Sequence, residues 1–362
     1  MKLFGKEEIN TSRQFEFDMA KAVCILGMVF VHCFETLSCG DVEGGVTYFI
    51  FVIVLDAIFG AGTFMICMGL GITYSWKNNA DKLLRRGAII FVLGYVLNIV
   101  RDALPCLILI PLGESTIEES IIGALCTDIM PFAGLALMLF GLLKKLKLSD
   151  LWVLIVALAM SVAGSFMRHV ELGGIVITDL AGLFIGTVNP ADEDAIAAFP
   201  LLNWFIIVVF GYLYAKAIMR CTNIEKYYAI ALPASAVILG IYMLIAIPNK
   251  LGMMCGDLTY YYHMTTLDSL ILMTGAIFAT SLYHFVAKPF SEYVKKVITI
   301  MSKNINTVYC IHWAMVCWTE YSLRPFGIYG LSDISVIIIG IIIFITANVL
   351  AWLRNDVWKN RR

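Results

Sequence analysis

Long apolar stretches, separated by short polar connections, run along the whole chain. A helix that crosses a bilayer needs about 20 mostly apolar residues. Ten stretches of the sequence meet this requirement: 15–37, 46–76, 85–102, 119–143, 151–168, 200–219, 228–247, 266–287, 296–318 and 332–354. The pattern therefore predicts an all-α integral membrane protein with about ten transmembrane helices.

One further apolar run, 175–188, is too short to span a bilayer. Glycines precede it, Asn189 and Pro190 follow it, and Asp179 lies inside it. We therefore expect a re-entrant or interfacial segment near 175–188.

Basic residues fix the expected orientation. If the N-terminus is cytoplasmic, basic clusters fall on the inner side at 2–13, 77–86, 144–147, 216–226, 288–296 and 354–362. The outer side keeps only Arg101, Arg168, Lys250 and Arg324. Cytoplasmic loops carry an excess of Lys and Arg, so we predict that both termini are cytoplasmic. An eleventh span at 175–188 would invert all later loops and break this rule.

Composition supports a membrane location and narrows the chemistry. The 362 residues are 60% hydrophobic and only 15% charged, with a mean hydropathy of +0.85. The net charge of −1 gives no reason to expect nucleic-acid binding. The ten cysteines form no CxxC pair and no cysteine–histidine metal motif, so we expect no metal. We interpret 1–362 as a single polytopic domain of the cell (plasma) membrane.

Four ionisable residues lie deep inside predicted spans: His32, Asp56, Asp128 and His312. Such residues are costly in a bilayer and usually face the bundle interior or a water-filled cavity. All four fall at a similar depth, between the midplane and the outer surface, which indicates one polar cavity that opens outward.

His32 is the strongest candidate for a general base, because an imidazole with a pKa near 6.5 suits proton transfer at neutral pH. It shares a helix face with Glu35, and either Glu35 or Asp56 could hold it. The alternative is a structural histidine that bonds a neighbouring carbonyl. Glu35 itself lies close to the outer interface, where a solvated rim residue is expected.

The remaining polar candidates have simpler interpretations. His169, His263 and His284 fall near the ends of spans, where we expect them to be solvated. Arg85 and Arg86 begin the third span, either as topology anchors or as a phosphate site, and their spacing does not separate the two.

Several segments together resemble the superfamily of membrane acyltransferases that includes heparan-α-glucosaminide N-acetyltransferase and the bacterial acyltransferase-three enzymes. Arg13-x4-Asp18-x2-Lys21 followed by CILGMVFVH is similar to their first helix, although Lys21 stands where the family has an arginine. LDAIFGAGTFMICMGLGITYS, KLLRRGAIIFVLGYVLN, FPLLNWFIIVVFGYLYAK and NINTVYCIHW follow in the family's order.

The resemblance implies transfer of an acetyl or other short acyl group from cytoplasmic acyl-CoA, the donor substrate, to a sugar or glycan of the cell envelope. The family depends on a membrane-embedded histidine. On this hypothesis His32 is the general base or transiently carries the acyl group, Asp56 orients it, and His312 donates to the developing oxyanion. Arg85 and Arg86 would hold the CoA phosphates. We also expect Asp128 and Glu35, from their positions in the spans, to line the substrate cavity together with Asn304 and Tyr309, which are similar to residues of the family's late helix.

Two other functions stay open at this point. A proton-coupled transporter or flippase of a glycan or small metabolite would use Asp56, Asp128 and His32 as a proton relay. The sequence shows no inverted repeat of the kind many transporters carry, which weakens this alternative. A non-catalytic membrane sensor rests only on the missing arginine at position 21. The acceptor, the acyl length, O- versus N-acylation and homo-oligomer formation are left undetermined by the sequence.

Overall fold

The structure, a computed structural model, describes residues 3–39, 60–75, 78–189, 192–255 and 258–358. The described chain is mostly helical. It divides into two compact units: unit 1 comprises Met1–Gln14, Gly62–Val96 and Leu125–Leu282, and unit 2 comprises Phe15–Ala61, Leu97–Ala124 and Tyr283–Arg362. His32 and His312 therefore both belong to unit 2.

The described helices, in chain order, are α1 (Phe15–Leu37), α2 (Ala61–Tyr74), α3 (Ala80–Asn98), α4 (Leu104–Leu109), α5 (Ile117–Leu125), α6 (Ile129–Lys145), α7 (Asp150–Phe166), α8 (Ile175–Gly182), α9 (Leu201–Met219), α10 (Ile224–Ala246), α11 (Leu258–Tyr262), α12 (Thr266–Val286), α13 (Glu292–Lys303), α14 (Ile305–Leu323) and α15 (Asp333–Trp352). Shorter turns extend several of them, as a π-helix at Ile99–Ala103 and Leu353–Trp358 and as a 3₁₀ helix at Ile110–Leu112, Gly252–Met254 and Arg324–Phe326.

Within the described residues, seven helical stretches are long and apolar enough to cross a membrane: Phe15–Leu37, Ala80–Leu112, Ile117–Lys145, Leu201–Met219, Ile224–Ala246, Thr266–Val286 and Asp333–Asn355. The helices α2 and α7 are apolar but shorter. α14 has 19 residues, but its polar side chains keep it out of this set. These apolar helices make the chain a multi-pass membrane protein.

Two predicted spans are not single helices, although Ile117–Lys145 is still long and apolar enough to cross a membrane. The predicted span 119–143 is interrupted after Leu125, and α6 begins only at Ile129, where the Asp128 carboxylate accepts a hydrogen bond from the Ile129 N–H at 2.6 Å. The predicted span 296–318 is two helices, α13 and α14, which meet at Asn304. An average over an apolar window does not detect such breaks, because one capping residue changes the average very little.

Residues 170–196 contain the three β-strands found in the described part of the chain. β1 (Val170–Glu171) pairs in parallel with β2 (Thr187–Asn189), which pairs antiparallel with β3 (Asp192–Ile196). The eight-residue helix α8 lies between β1 and β2 and is too short to span, in agreement with the expectation for 175–188.

Unit 1 is built around α9, which packs against α7 and α6. A Cβ atom at Gly69 would lie 2.1 Å from the Val208 carbonyl oxygen, and one at Gly211 would lie 2.2 Å from the Ile66 carbonyl oxygen. The backbones of α2 and α9 therefore touch, which is the close packing that small residues allow in membrane helices.

Unit 2 is built around α1, which packs against α13, α14 and α15. Ile25 of α1 is fully buried in a cluster with Val308, Ala347 and Ala351. This packing fixes the rotation of α1 and turns His32 toward α14.

Candidate active site

His32 and Glu35 form a pair near the C-terminal end of α1. Residues three apart on a helix are neighbours, and Nδ1 of His32 lies 3.3 Å from Oε2 of Glu35. Both side chains are less than one-fifth exposed. Since a carboxylate only accepts, Nδ1 of His32 carries the proton, and Nε2 is the basic nitrogen of the neutral ring. Glu35, expected at a solvated rim, is therefore the carboxylate partner of His32.

His312 on α14 is fully buried. Its Nδ1 lies 3.0 Å from the Val308 carbonyl oxygen, one helical turn earlier, and so donates to it. Nε2 of the neutral ring is then an acceptor. Neutral His312 therefore has no ring N–H left to donate to an oxyanion, which is the role that the sequence predicts for it.

Aromatic contacts bring these helices together in unit 2. The rings of His32 and Trp313 have centroids 3.9 Å apart and planes tilted by 32°. The rings of His32 and His312 are stacked with centroids 5.4 Å apart. Tyr309 is buried against His312, with centroids 5.6 Å apart. Thus His32, His312 and Tyr309, all predicted, occupy one site, and Trp313 joins them.

Arg101 is a site residue that the sequence analysis missed. It lies on the π-helical turn after α3, is only 5% exposed, and places its guanidinium 4.4 Å from the Trp313 ring centroid. Its Nε donates to Asp102 at 2.8 Å. π-Helical turns often mark functional sites.

The turn that carries Arg101 is held from two sides. The indole N–H of Trp318 donates to the Val100 carbonyl at 2.9 Å, and the Ser120 hydroxyl donates to the Ala103 carbonyl at 3.1 Å. A signal was present in the sequence: the Arg101–Asp102 pair stands inside the apolar run 87–112, not at its end.

Trp313 presents a donor with no partner in the described part of the chain. Its Nε1 is buried, and no described residue accepts its hydrogen. A buried N–H without an acceptor reduces the stability of the fold by about 1–3 kcal/mol. Such a group in a polar site therefore suggests that a bound molecule supplies the acceptor.

The other predicted site residues have different surroundings. Asn304 is buried at the junction of α13 and α14, and its Oδ1 accepts a hydrogen bond from Asn355 at 2.8 Å. Asp128 caps α6. Arg85 and Arg86 are exposed on α3 of unit 1, and no described carboxylate forms an ion pair with them. Asp56 lies outside the described residues.

The expectation of solvated histidines is wrong for two of the three. His263 is fully buried, with Nε2 at 3.0 Å from the Ala197 carbonyl oxygen. His284 contacts Glu16 through Nδ1 and is about one-tenth exposed. The described residues contain no group of three or more His, Cys, Asp or Glu side chains that could hold a metal ion.

Comparison with known families identifies the chain. The family "Heparan-alpha-glucosaminide N-acetyltransferase, catalytic" matches residues 13–245. The searches among curated proteins and among solved structures each gave no match. The matched part contains α1 with His32, the turn with Arg101 and the pair Arg85–Arg86, and it ends before α14. Because it covers well over half of the 362 residues, the chain belongs to the heparan-alpha-glucosaminide N-acetyltransferase catalytic family and is a multi-pass membrane acetyltransferase.

Proposed function

We propose that the protein transfers an acetyl or other short acyl group from cytoplasmic acyl-CoA to a hydroxyl or amine of an extracytoplasmic sugar or glycan. The observation that carries this proposal is the His32–Glu35 pair in contact with Trp313 and His312, inside a chain of an acetyltransferase family. A histidine held by a carboxylate through Nδ1 is a suitable general base at Nε2.

The proposed reaction is direct transfer. Nε2 of His32 takes the proton of the acceptor O–H or N–H as the acceptor atom bonds to the thioester carbonyl carbon. The C–S bond then breaks, and the leaving thiolate takes the proton from the His32 imidazolium. Glu35 stabilises the charge that His32 carries between the two proton transfers.

For the donor, we propose that Arg85 and Arg86 bind the CoA phosphates. Both residues are exposed, and no described carboxylate forms an ion pair with either. Arginine binds phosphate through two parallel N–H donors, which suits this task. The positive-inside distribution assigns these residues to the cytoplasmic side, where acyl-CoA is available.

The proposed topology has ten spans in one functional domain, 1–362, with both termini in the cytoplasm. It rests on the seven apolar stretches, the shorter helices α2 and α7, and the polar helix α14. The membrane is proposed to be the cell membrane. The family match offers nothing in favour of the transporter alternative.

The test uses the purified protein in lipid vesicles with radiolabelled acetyl-CoA and a panel of amino sugars and glycans. His32→Gln should reduce acyl transfer by at least about 100-fold, the lower end of the range for a lost general base. The matched control is His169→Asn, because His169 has a positive φ of 56° that asparagine tolerates. Wild-type activity in His32→Gln would refute the proposed role of His32.

A further inference from the structure

The unpartnered N–H of Trp313 lies at the centre of the proposed site. The indole ring centroid lies 3.9 Å from the ring centroid of His32 and 4.4 Å from the guanidinium carbon of Arg101. A group that reacts beside Nε2 of His32 therefore passes close to this indole. No described residue accepts the hydrogen of Nε1.

A donor is needed in this place. Acyl transfer converts a carbonyl into a tetrahedral intermediate with a negative oxygen, which buried donors stabilise strongly. Neutral His312 is unsuitable, because its Nδ1 proton is committed to the Val308 carbonyl. Glu35 and Asp102 only accept when ionised.

We infer that Trp313 is a further catalytic residue, whose Nε1–H donates to the oxyanion that forms from the acyl carbonyl. This inference rests on the proposed function. As the acceptor atom bonds to the carbonyl carbon, the C=O π electrons move to oxygen, and Nε1–H bonds to that oxygen. When the intermediate collapses, the C=O bond reforms, the C–S bond breaks, and the Nε1–H···O bond weakens. Trp313 keeps its proton throughout.

Arg101 is then a positioning residue. Its guanidinium over the indole holds the ring in place, as cations do over aromatic faces. Its ion pair with Asp102 and the hydrogen bond from Trp318 to the Val100 carbonyl fix Arg101 in turn. The series of contacts from Val100 through Arg101 and Trp313 to His32 therefore fixes the direction of the Nε1–H bond.

The experiment compares Trp313→Phe with Trp352→Phe, a matched substitution in α15 of the same unit. In steady-state assays of the vesicle-reconstituted protein, Trp313→Phe should lower kcat by about 100-fold, as expected for one oxyanion donor. The KM values for donor and acceptor should change by less than about threefold, because the bond forms only in the transition state. Trp352→Phe should retain wild-type kcat.

A second variant separates the N–H from the ring. Genetic incorporation of benzothienylalanine at position 313 replaces only the N–H by sulfur and keeps the shape of the indole. The same loss of kcat in this variant would support the donor role, whereas wild-type kcat in it would overturn the inference, whatever Trp313→Phe does. If the wild-type protein itself transfers no acyl group, the proposed function fails; if His32→Gln is inactive and the benzothienyl variant is fully active, only the role of Trp313 fails.

Discussion

At the residue scale, the chemistry depends on where the ring protons of two histidines are held. Glu35 holds the Nδ1 proton of His32, and the Val308 carbonyl holds that of His312. In the neutral form, Nε2 is therefore the basic nitrogen of both rings. The two rings differ in exposure, since His32 is about one-fifth exposed and His312 is fully buried. This difference favours His32 as the base that meets substrate.

Glu35→Gln tests the pair directly. We expect kcat to fall by about 10- to 100-fold, because the amide still occupies the space but no longer stabilises the charged imidazole. The loss should be smaller than that of His32→Gln, since the bond is long at 3.3 Å and partly exposed. Glu118→Gln, an exposed residue of α5, serves as the control. Equal kcat values for Glu35→Gln and Glu118→Gln would exclude this role for Glu35.

At the element scale, the apolar pattern predicts a helix well where polar residues bound it. α1 begins and ends at the predicted residues, 15 and 37. The pattern fails where a helix is interrupted inside an apolar run, as at Asp128 and at Asn304. Asp128 followed by Pro131 is a recognisable helix start, since Asp favours the N-cap and Pro is tolerated in the first turn. Because the apolar pattern hides this break, the sequence predicted that Asp128 lies in a deep polar cavity, whereas in the structure Asp128 caps α6.

The short helix α8 provides an element-scale prediction about pH. Burial raises the pKa of Asp179 to about 6, and its Oδ2 is buried without a hydrogen-bond partner among the described residues. A raised folded-state pKa means that ionisation destabilises the fold, with the full cost above about pH 6 and almost none below about pH 4. Asp179→Asn should therefore stabilise the protein at pH 7.5 by roughly 1–2 kcal/mol, after allowance for partial solvent exposure.

Thermal unfolding in detergent, monitored by circular dichroism, measures this effect. The gain in Tm for Asp179→Asn should stay constant from pH 7.5 to about pH 6 and should shrink as the pH falls from about 6 toward 4. Glu171→Gln, an exposed residue of neighbouring β1, should leave Tm unchanged at every pH. A gain for Asp179→Asn that does not depend on pH would show that ionisation of Asp179 is not the cause.

At the scale of the whole molecule, the sequence predicted the membrane class and the family, and it grouped His32 with His312, whose rings are in contact in the structure. It missed Arg101 and Trp313 for different physical reasons. The positive-inside rule assigns a single arginine between apolar stretches to a loop, but Arg101 is buried on a continuous helical segment. Trp313 is apolar enough to be an ordinary membrane residue, and only the three-dimensional contacts show that its N–H is buried without an acceptor.

The proposed orientation of the whole molecule predicts that acyl-CoA is used from the cytoplasmic side of the membrane only. In sealed vesicles with the cytoplasmic face outward, acetyl-CoA added outside should support acylation of an acceptor trapped inside, and vesicles of opposite orientation should not.

Arg85→Gln with Arg86→Gln should raise the KM for acetyl-CoA about tenfold or more, since each charged hydrogen bond contributes about 1.5–3 kcal/mol. The same double variant should leave the KM for acetyl-pantetheine unchanged, because that donor lacks the nucleotide phosphates. Lys295→Gln with Lys296→Gln is the matched control, a basic pair on α13 that the same rule assigns to the cytoplasmic side. An equal rise in KM for both donors would mean that Arg85 and Arg86 support the fold and do not bind phosphate.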